Sequence, residues 1–348
     1  MFVVFFQQTL LSALLNSFAG ALQNQSGTVL VYTSEARDNV EASALSPDVI
    51  AQVAAVPEVG QIGPVGVATL TLVVKGQQLE VAVIGAEPGK PGQPMKLISG
   101  QPATAPGEGV ASSEAENFGI GDTVTTAAGG WPVTIVGLTQ QSQLNVLPTL
   151  FVTFDTYTAL RKAANPDATA VLPSALAVVP SSGVSPEALA AAINAEVSSV
   201  TARTRNDAAA NALGVSATQA SFVIVLTLAV VVVALVIGFF FLIMTVQKTA
   251  TLTLLKALGA PAGYLVRGLI AQVALVLGVA LLLAAGLLAA AMVMANTGLA
   301  LTIEPGALVA STAAIVGLSL LGVAFSVWRV LRIEPIQAVN PPALGGVE

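Results

Sequence analysis

Three long runs without a single charged residue lie in the second half of this chain. They cover residues 222–246, 268–295 and 307–327. An α-helix needs about 20 apolar residues to cross the hydrocarbon core of a bilayer, and each run is long enough to do so. The second half is therefore expected to be a membrane domain built from α-helices.

Acidic residues set the first half of the chain apart from the second. Residues 23–218 hold sixteen Asp or Glu against eight Lys or Arg, whereas residues 219–348 hold three acidic and five basic side chains. Only 9% of all side chains are charged, compared with about 25% in typical soluble domains. Because the charge is concentrated in the first region, residues 23–215 are expected to form a soluble domain.

Two residue types that often carry out chemistry are missing. The chain has no Cys and no His, which excludes thiol nucleophiles, disulfides, imidazole bases and the usual zinc sites. Residues 85–91 faintly resemble a phosphate-binding loop, but the spacing is one residue short and Pro91 replaces the magnesium-binding hydroxyl. We therefore expect no enzyme activity and no cofactor, metal or nucleic-acid site in this chain.

Residues 1–22 form a fourth apolar run, which is less hydrophobic because it contains Gln7, Gln8, Ser12 and Asn16. A cleaved signal peptide is one interpretation, since residues 19–21 offer a small-residue cleavage site. The basic segment that begins a signal peptide is missing, however, and the apolar stretch exceeds the usual 7–15 residues. The run is expected to be a retained transmembrane helix.

A polar stripe runs along this first helix. Gln8, Ser12 and Asn16 recur every four residues and are followed by Gly20, so they lie near one helix face. One interpretation is that these side chains hydrogen-bond to neighbouring helices, and the other is that they line a polar cavity. The first interpretation is favoured.

Basic residues near the apolar runs indicate the orientation, because short cytoplasmic loops retain Lys and Arg. Lys248, Lys256 and Arg267 lie between the second and third runs, and Arg329 and Arg332 follow the last. Both places are expected in the cytoplasm. The link between the third and fourth runs has a single charged residue, which is acidic. This link and the large acidic domain are therefore expected outside the cytoplasm.

The outer domain is predicted to be of α+β type, because segments typical of strands alternate with short helices. Together with the apolar runs, this gives a membrane α-helical protein with four transmembrane helices and a large extracytoplasmic domain between helices 1 and 2. In chain order, the predicted parts are transmembrane helix 1 at 1–22, the outer domain at 23–215, a stalk end with transmembrane helix 2 at 216–247, a cytoplasmic coupling segment at 248–266, transmembrane helix 3 at 267–296, an outer loop at 297–306, transmembrane helix 4 at 307–328 and a cytoplasmic tail at 329–348.

No Asp, Glu or His lies inside the four runs, so an ion gradient has no side chain through which to drive transport. Energy must then come from another subunit, unless the protein does not pump at all. Within the coupling segment, Leu252, Leu255 and Leu258 form one stripe of a short helix that ends at Gly259. The stripe fits either the docking of a partner subunit or packing in the lipid interface, and periodicity leaves both open.

Several patches of the sequence resemble MacB/FtsX-type ABC transporter permeases. These patches are residues 254–261 after a transmembrane helix, the tail 329–338, and residues 98–101, 119–124 and 133–138 of the outer domain. Residues 6–11 and 24–32 are most similar to the DevC-like branch. The family usually begins with a basic cytoplasmic helix and a longer first span, so either the start is assigned late or this first helix is shortened.

The resemblance implies the permease subunit of an ABC exporter that works by mechanotransmission in the inner membrane of the cell. It implies a homodimer or a pair of related permeases, in contact with membrane lipid, and a separate ABC ATPase that holds ATP and Mg²⁺. A periplasmic adaptor is a further candidate partner. The implied alternative is an FtsX-like signal transducer that activates a cell-wall hydrolase without transport. The implied contacts with the ATPase are Leu252, Leu254, Leu255, Lys256, Leu258 and Gly259.

Residues 206–218 are predicted to continue the second span outward as a helical stalk. Most of these residues are Ala, Asn and Leu, Asp207 lies near the start where a carboxylate suits the helix dipole, and Ala212 lies in the middle. The alternative is a passive linker marked by Gly214, because Gly weakens a helix by about 1 kcal/mol relative to Ala.

Overall fold

The computed structural model describes residues 1–114, 118–127, 130–167, 170–247, 258, 261–294 and 305–331. The chain divides into a unit that holds the strands, mainly Ser12–Ala220, and a unit of apolar helices that includes Met1–Leu11 and Ser221–Asn296. The helices are α1 (Phe2–Gln23), α2 (Pro47–Ala54), α3 (Phe154–Ala164), α4 (Pro186–Glu196), α5 (Arg205–Asn211), α6 (Val215–Gln247), α7 (Ala262–Met294) and α8 (Pro305–Leu331). The strands are β1 (Val29–Thr33), β2 (Val59–Val74), β3 (Gln77–Ala86), β4 (Leu97–Gly100), β5 (Glu108–Ser112), β6 (Thr123–Thr126), β7 (Val133–Thr139), β8 (Thr149–Thr153), β9 (Ala175–Pro180) and β10 (Val200–Thr204).

The long strand β2 forms a hairpin with β3, as the alternating apolar residues predict. The turn consists of Lys75 and Gly76, whose φ angles of 51° and 80° lie in the left-handed region. Two-residue hairpin turns require this conformation. Gln77 pairs with Val74, so β3 begins directly after this two-residue turn. Gly76 permits the turn because it has no Cβ to clash at positive φ.

Six strands of the outer domain close into a ring. They pair in the order β2, β3, β8, β5, β7 and β6, and β6 pairs again with β2. The pairs β3·β8 and β5·β7 are parallel, and the other pairs are antiparallel. Because the ring is closed, these strands expose little free edge to other chains. Their buried side chains form one core with α3, and Leu72, Leu150 and Tyr157 are among its fully buried members.

A second, four-stranded part of the sheet shares β2. The strands lie in the order β10, β1, β9 and the first half of β2, all antiparallel. Helices α2 and α4 cover one core of this part with Val53, Leu189 and Ile193. Both helices begin with Pro at the first turn, and the preceding Ser46 and Ser185 accept a backbone N–H. These starts are those that the Ser-Pro pairs indicate, and the predicted α+β fold is confirmed.

Three described helices are long and apolar enough to cross a membrane. They are α1, the part of α6 over Val215–Phe240 and the part of α7 over Ala274–Val293. Helix α8 contains a shorter apolar stretch, Leu308–Leu321. The total of four transmembrane helices therefore stays a prediction. Within this unit, Phe5 of α1 packs in one cluster with residues of α7.

Candidate functional site at the helix junction

The last turns of α1, helix α5 and the start of α6 pack together against the strands. We call this cluster the helix junction. Its members from residues 12–23 and 205–215 are Leu15, Phe18, Ala19, Ala21, Leu22, Ala208, Ala209, Ala212 and Val215, which pack with Leu30, Val65 and Ile84 of the sheet. Two apolar helices thus end inside a core of the outer domain. Residues 19–21 are buried there, and the retained transmembrane helix stays a prediction.

A loop between β7 and β8 holds the end of α1 in place. We call residues 140–147 the clamp loop. Its backbone and that of α1 are joined by three hydrogen bonds, and the Asn24 side-chain amide adds a fourth to the carbonyl of Gln141. The three backbone bonds run from Ala21 N–H to the Gln143 carbonyl (2.9 Å), from Asn145 N–H to the Phe18 carbonyl (2.9 Å) and from Val146 N–H to the Ser17 carbonyl (2.8 Å).

The clamp loop is held in a strained backbone conformation. Gln141, Asn145 and Val146 have φ angles of 55°, 54° and 62°. Positive φ is unusual for residues other than Gly and is particularly unfavourable for a β-branched residue such as Val. Each such residue costs about 1–3 kcal/mol and persists only where the surroundings hold it. The contacts with α1 and the hydrogen bond from Leu144 N–H to Thr149 Oγ1 (2.9 Å) are among the interactions that hold this loop.

Gly20 lets the clamp loop approach the helix backbone. A Cβ atom built at this position would lie 2.9 Å from the carbonyl carbon of Gln141 and closer still to its oxygen. Such a distance is too short for a real side chain, and both neighbours are backbone atoms that move only if the loop moves. The glycine in the predicted polar stripe is therefore required by close packing.

The predicted continuous stalk is wrong in one respect, because the helix is broken. Helix α5 ends at Asn211, Ala212 is extended with ψ of 153°, and α6 begins only at Val215. Between them, Gly214 has a φ of 82°. A left-handed residue stops a helix, and Gly adopts this conformation without steric cost. The break turns α6 so that Ala212 and Val215 are buried in the helix junction.

Asp207, the other predicted stalk residue, lies in the first turn of α5. Its N–H donates to Thr204 Oγ1 (3.2 Å), and the Thr204 hydroxyl donates to Asp207 Oδ2 (2.7 Å). Thr204 is thus the N-cap that starts α5. The role of both predicted residues in transmitting motion stays a prediction.

An ion pair fixes β10, the strand that leads into α5. Arg203 donates from Nε (2.7 Å) and Nη2 (3.0 Å) to the two carboxylate oxygens of Asp38, and Tyr32 OH donates to Asp38 at 2.6 Å. Burial by itself would raise the pKa of Asp38, but the hydrogen bonds from Arg203 and Tyr32 together lower it. Burial and the Asp38 hydrogen bond both raise the pKa of Tyr32. The network therefore favours the ionised carboxylate beside the helix junction.

The predicted polar stripe of α1 faces two different neighbours. Gln8 accepts a hydrogen bond from the Ser311 hydroxyl of α8 (2.8 Å), which is the kind of contact between apolar helices that the favoured interpretation expects. Asn16, by contrast, lines a small cavity beside the clamp loop. Ser12 also lies on α1, and the function of all three residues stays a prediction.

Most of the predicted ATPase contacts lie outside the described residues. These are Leu252, Leu254, Leu255, Lys256 and Gly259. Leu258 is described, and its side chain is 77% exposed. Among the residues that the structure describes, no group of three or more Asp and Glu side chains is placed to hold a metal ion.

Sequence reasoning missed the clamp loop altogether. Its only local signal is a run of polar residues at 139–143, which is typical of any surface loop. The strain at Val146 and the approach to Gly20 arise from contacts between distant parts of the chain, and no periodicity reports them.

Comparison with known protein families decides the identity of the chain. A family model for the MacB-like periplasmic core domain matches residues 1–196, more than half of the chain, and a model for the FtsX-like permease C-terminal region matches residues 223–335. The chain belongs to the MacB/FtsX-like family of ABC transporter permeases. Members of this family are permease subunits that work with an ATPase subunit. Family membership and the apolar helices indicate an inner-membrane protein with an extracytoplasmic domain.

Individual relatives of this permease are distant. The putative hemin transport system permease protein HrtB of Staphylococcus epidermidis is 22% identical over 144 residues, which span 41% of this chain and 41% of that protein. The periplasmic region of MacB from Actinobacillus actinomycetemcomitans is 13% identical, with a TM-score of 0.37. The match covers 54% of this chain and 92% of that chain. The extracellular domain of the transporter YknZ from Gram-positive bacteria is 14% identical, with a TM-score of 0.34 and coverages of 51% and 99%.

Proposed function

We propose that this permease is a subunit of an ABC exporter that works by mechanotransmission. A separate ATPase binds ATP and Mg²⁺, and its hydrolysis cycle displaces the apolar helices. The displacement reaches the outer domain, which then acts on cargo or on a partner outside the cytoplasm. This chain itself supplies no catalytic residue and no cofactor site in the proposal.

The helix junction is the observation that supports this mechanism. Residues of α1, α5 and α6 belong to one buried cluster with the sheet. A displacement of the end of α1 relative to the strands would break its hydrogen bonds with the clamp loop and open that core. Both changes are costly, so the end of α1 is expected to carry the outer domain with it. A continuous helical stalk is not needed.

The remaining parts of the proposed assembly come from the sequence. Residues 249–259 would contact the ATPase through the leucine stripe, and the permease would pair with a second copy or a related permease in the lipid bilayer. A periplasmic adaptor is the proposed partner of the outer domain. Four spans, with both termini in the cytoplasm, agree with the distribution of Lys and Arg.

Affinity purification of the tagged full chain from native membranes tests this function. We expect an ABC ATPase to co-purify, together with an adaptor protein or an exported cargo. Recovery of the ATPase with a cell-wall hydrolase, and without adaptor or cargo, would contradict export and support the signal-transducer alternative. If no ABC ATPase co-purified with the intact permease in any detergent, both the exporter and the signal-transducer hypotheses would be contradicted.

Cysteine labelling tests the proposed orientation without background, because the chain has no Cys. Ser182 lies in an exposed turn after β9, and Pro261 is exposed before α7. With a membrane-impermeant maleimide, Ser182→Cys should react on intact spheroplasts, whereas Pro261→Cys should react only after the membrane is permeabilised. Labelling of Pro261→Cys from outside would overturn the orientation, and labelling of both variants in detergent is the control.

A further inference from the structure

A small cavity lies where the clamp loop meets α1. Its volume is about 10 Å³, which is close to the smallest space that admits a water molecule. Five of its six lining residues carry an amide, hydroxyl or carboxyl group in the side chain. The lining residues are Ala13, Asn16 and Ser17 of α1, Gln141 and Gln143 of the clamp loop, and Glu114 after β5.

Glu114 is the unusual member of this wall. Its Oε1 atom accepts the backbone N–H of Gln141. Its Oε2 atom is buried and has no hydrogen-bond partner among the described residues. Glu114 as a residue is half-buried, and burial of an unpaired oxygen is unfavourable for the ionised carboxylate. The environment of Oε2 therefore favours the neutral form of this carboxyl.

Among the described residues of α1 and the clamp loop, no charged side chain compensates Glu114. Residues 12–23 of α1 and residues 140–147 of the clamp loop contain no ionisable side chain. Lys96 lies beside the end of β7, where its carbonyl accepts from Thr139 Oγ1 at 2.7 Å, but its side chain is exposed. Burial raises the pKa of the Glu114 carboxyl above its ordinary 4.5, and the N–H of Gln141 only partly opposes this.

We propose that Glu114 is a proton-binding site of the helix junction, and that its protonation strengthens the attachment of α1 to the clamp loop. The neutral carboxyl carries its O–H in the cavity, whose wall includes Asn16 of α1 and Gln143 of the clamp loop. Loss of the proton leaves a half-buried negative charge between these two elements and favours their separation.

The pH dependence has a definite sign. Glu114 binds its proton more tightly in the folded chain than in the unfolded chain, so unfolding releases a proton between the two pKa values. The contribution of Glu114 to stability is therefore most favourable at acidic pH. It falls as the pH rises from the ordinary glutamate value through the raised one. Glu114→Gln keeps the neutral shape and removes this dependence.

Infrared spectroscopy of the full chain in lipid nanodiscs tests the proton directly. Between about pH 8 and about pH 5, the wild type should gain a protonated-carboxyl C=O band that Glu114→Gln lacks and that is centred above the ordinary glutamate pKa. Glu108→Gln is the matched control, because the Glu108 carboxyl is exposed and backbone N–H groups of Ala105 and Thr104 lower its pKa. This control should leave the band unchanged.

Hydrogen exchange tests the attachment. After correction for intrinsic rates, the amides of residues 140–147 should exchange at least about threefold faster at the higher pH in the wild type, and at equal rates in Glu114→Gln. Absence of the carboxyl band, with the same exchange at both pH values, would show an ionised, water-bonded Glu114 and overturn the proposal. Stabilisation of the wild type by Na⁺ at fixed pH, absent with N-methylglucamine, would assign the cavity to a metal cation and overturn it as well.

Discussion

Gly20→Ala should destabilise the attachment of α1 to the outer domain by about 2 kcal/mol, the typical cost of forcing an extra carbon into a packed site. The sign of this change in stability is informative, because Ala in a helix is by itself more favourable than Gly by about 1 kcal/mol. If only helix propensity mattered, the variant would be more stable than the wild type. The added Cβ would instead collide with the backbone of Gln141 and displace the clamp loop.

Thermal unfolding and amide exchange of the full chain in nanodiscs measure this effect. A lower melting temperature and faster exchange over residues 140–147 are expected for Gly20→Ala. Gly278→Ala in α7 is the matched control, because a Cβ there meets nothing within 4 Å, and it should be neutral or slightly stabilising. An unchanged clamp loop and equal stability in Gly20→Ala would contradict the close contact on which the helix junction depends.

Local signals predicted much of the fold because they act over a few residues. Ser46 with Pro47, and Pro186 after Ser185, mark helix starts through capping and fixed φ, and both helices begin there. The alternating apolar residues of β2 and β3 indicate the two strands that form their hairpin. The long apolar runs coincide with α6, α7 and α8.

Features that depend on distant contacts were not predictable in the same way. The parallel pairs β3·β8 and β5·β7 and the closure of the ring through β6 bring together segments that no local pattern relates. The stalk prediction failed because helix propensity over 206–218 was outweighed by burial. Ala212 and Val215 are buried in the core because the chain turns at Gly214.

Leu255→Asp should abolish the association of this permease with its ATPase. The helix predicted from the sequence over residues 251–259 would place Leu252, Leu255 and Leu258 on one stripe. A carboxylate introduced into a packed apolar contact costs several kcal/mol. Thr253→Asp is the matched control, because it adds the same charge on the opposite face of that helix. If the stripe only packs in the lipid interface, neither variant should affect the partner.

The amount of ABC ATPase that co-purifies per permease from native membranes is the most direct test of the account. The wild type and Thr253→Asp should retain it in equal proportion. Leu255→Asp, expressed and inserted at the same level, should retain at least about tenfold less ATPase. A loss of about 1.4 kcal/mol in binding free energy already lowers the affinity by a factor of ten. An equal yield of ATPase with all three chains, or none with the wild type, would contradict a permease that is driven through this segment.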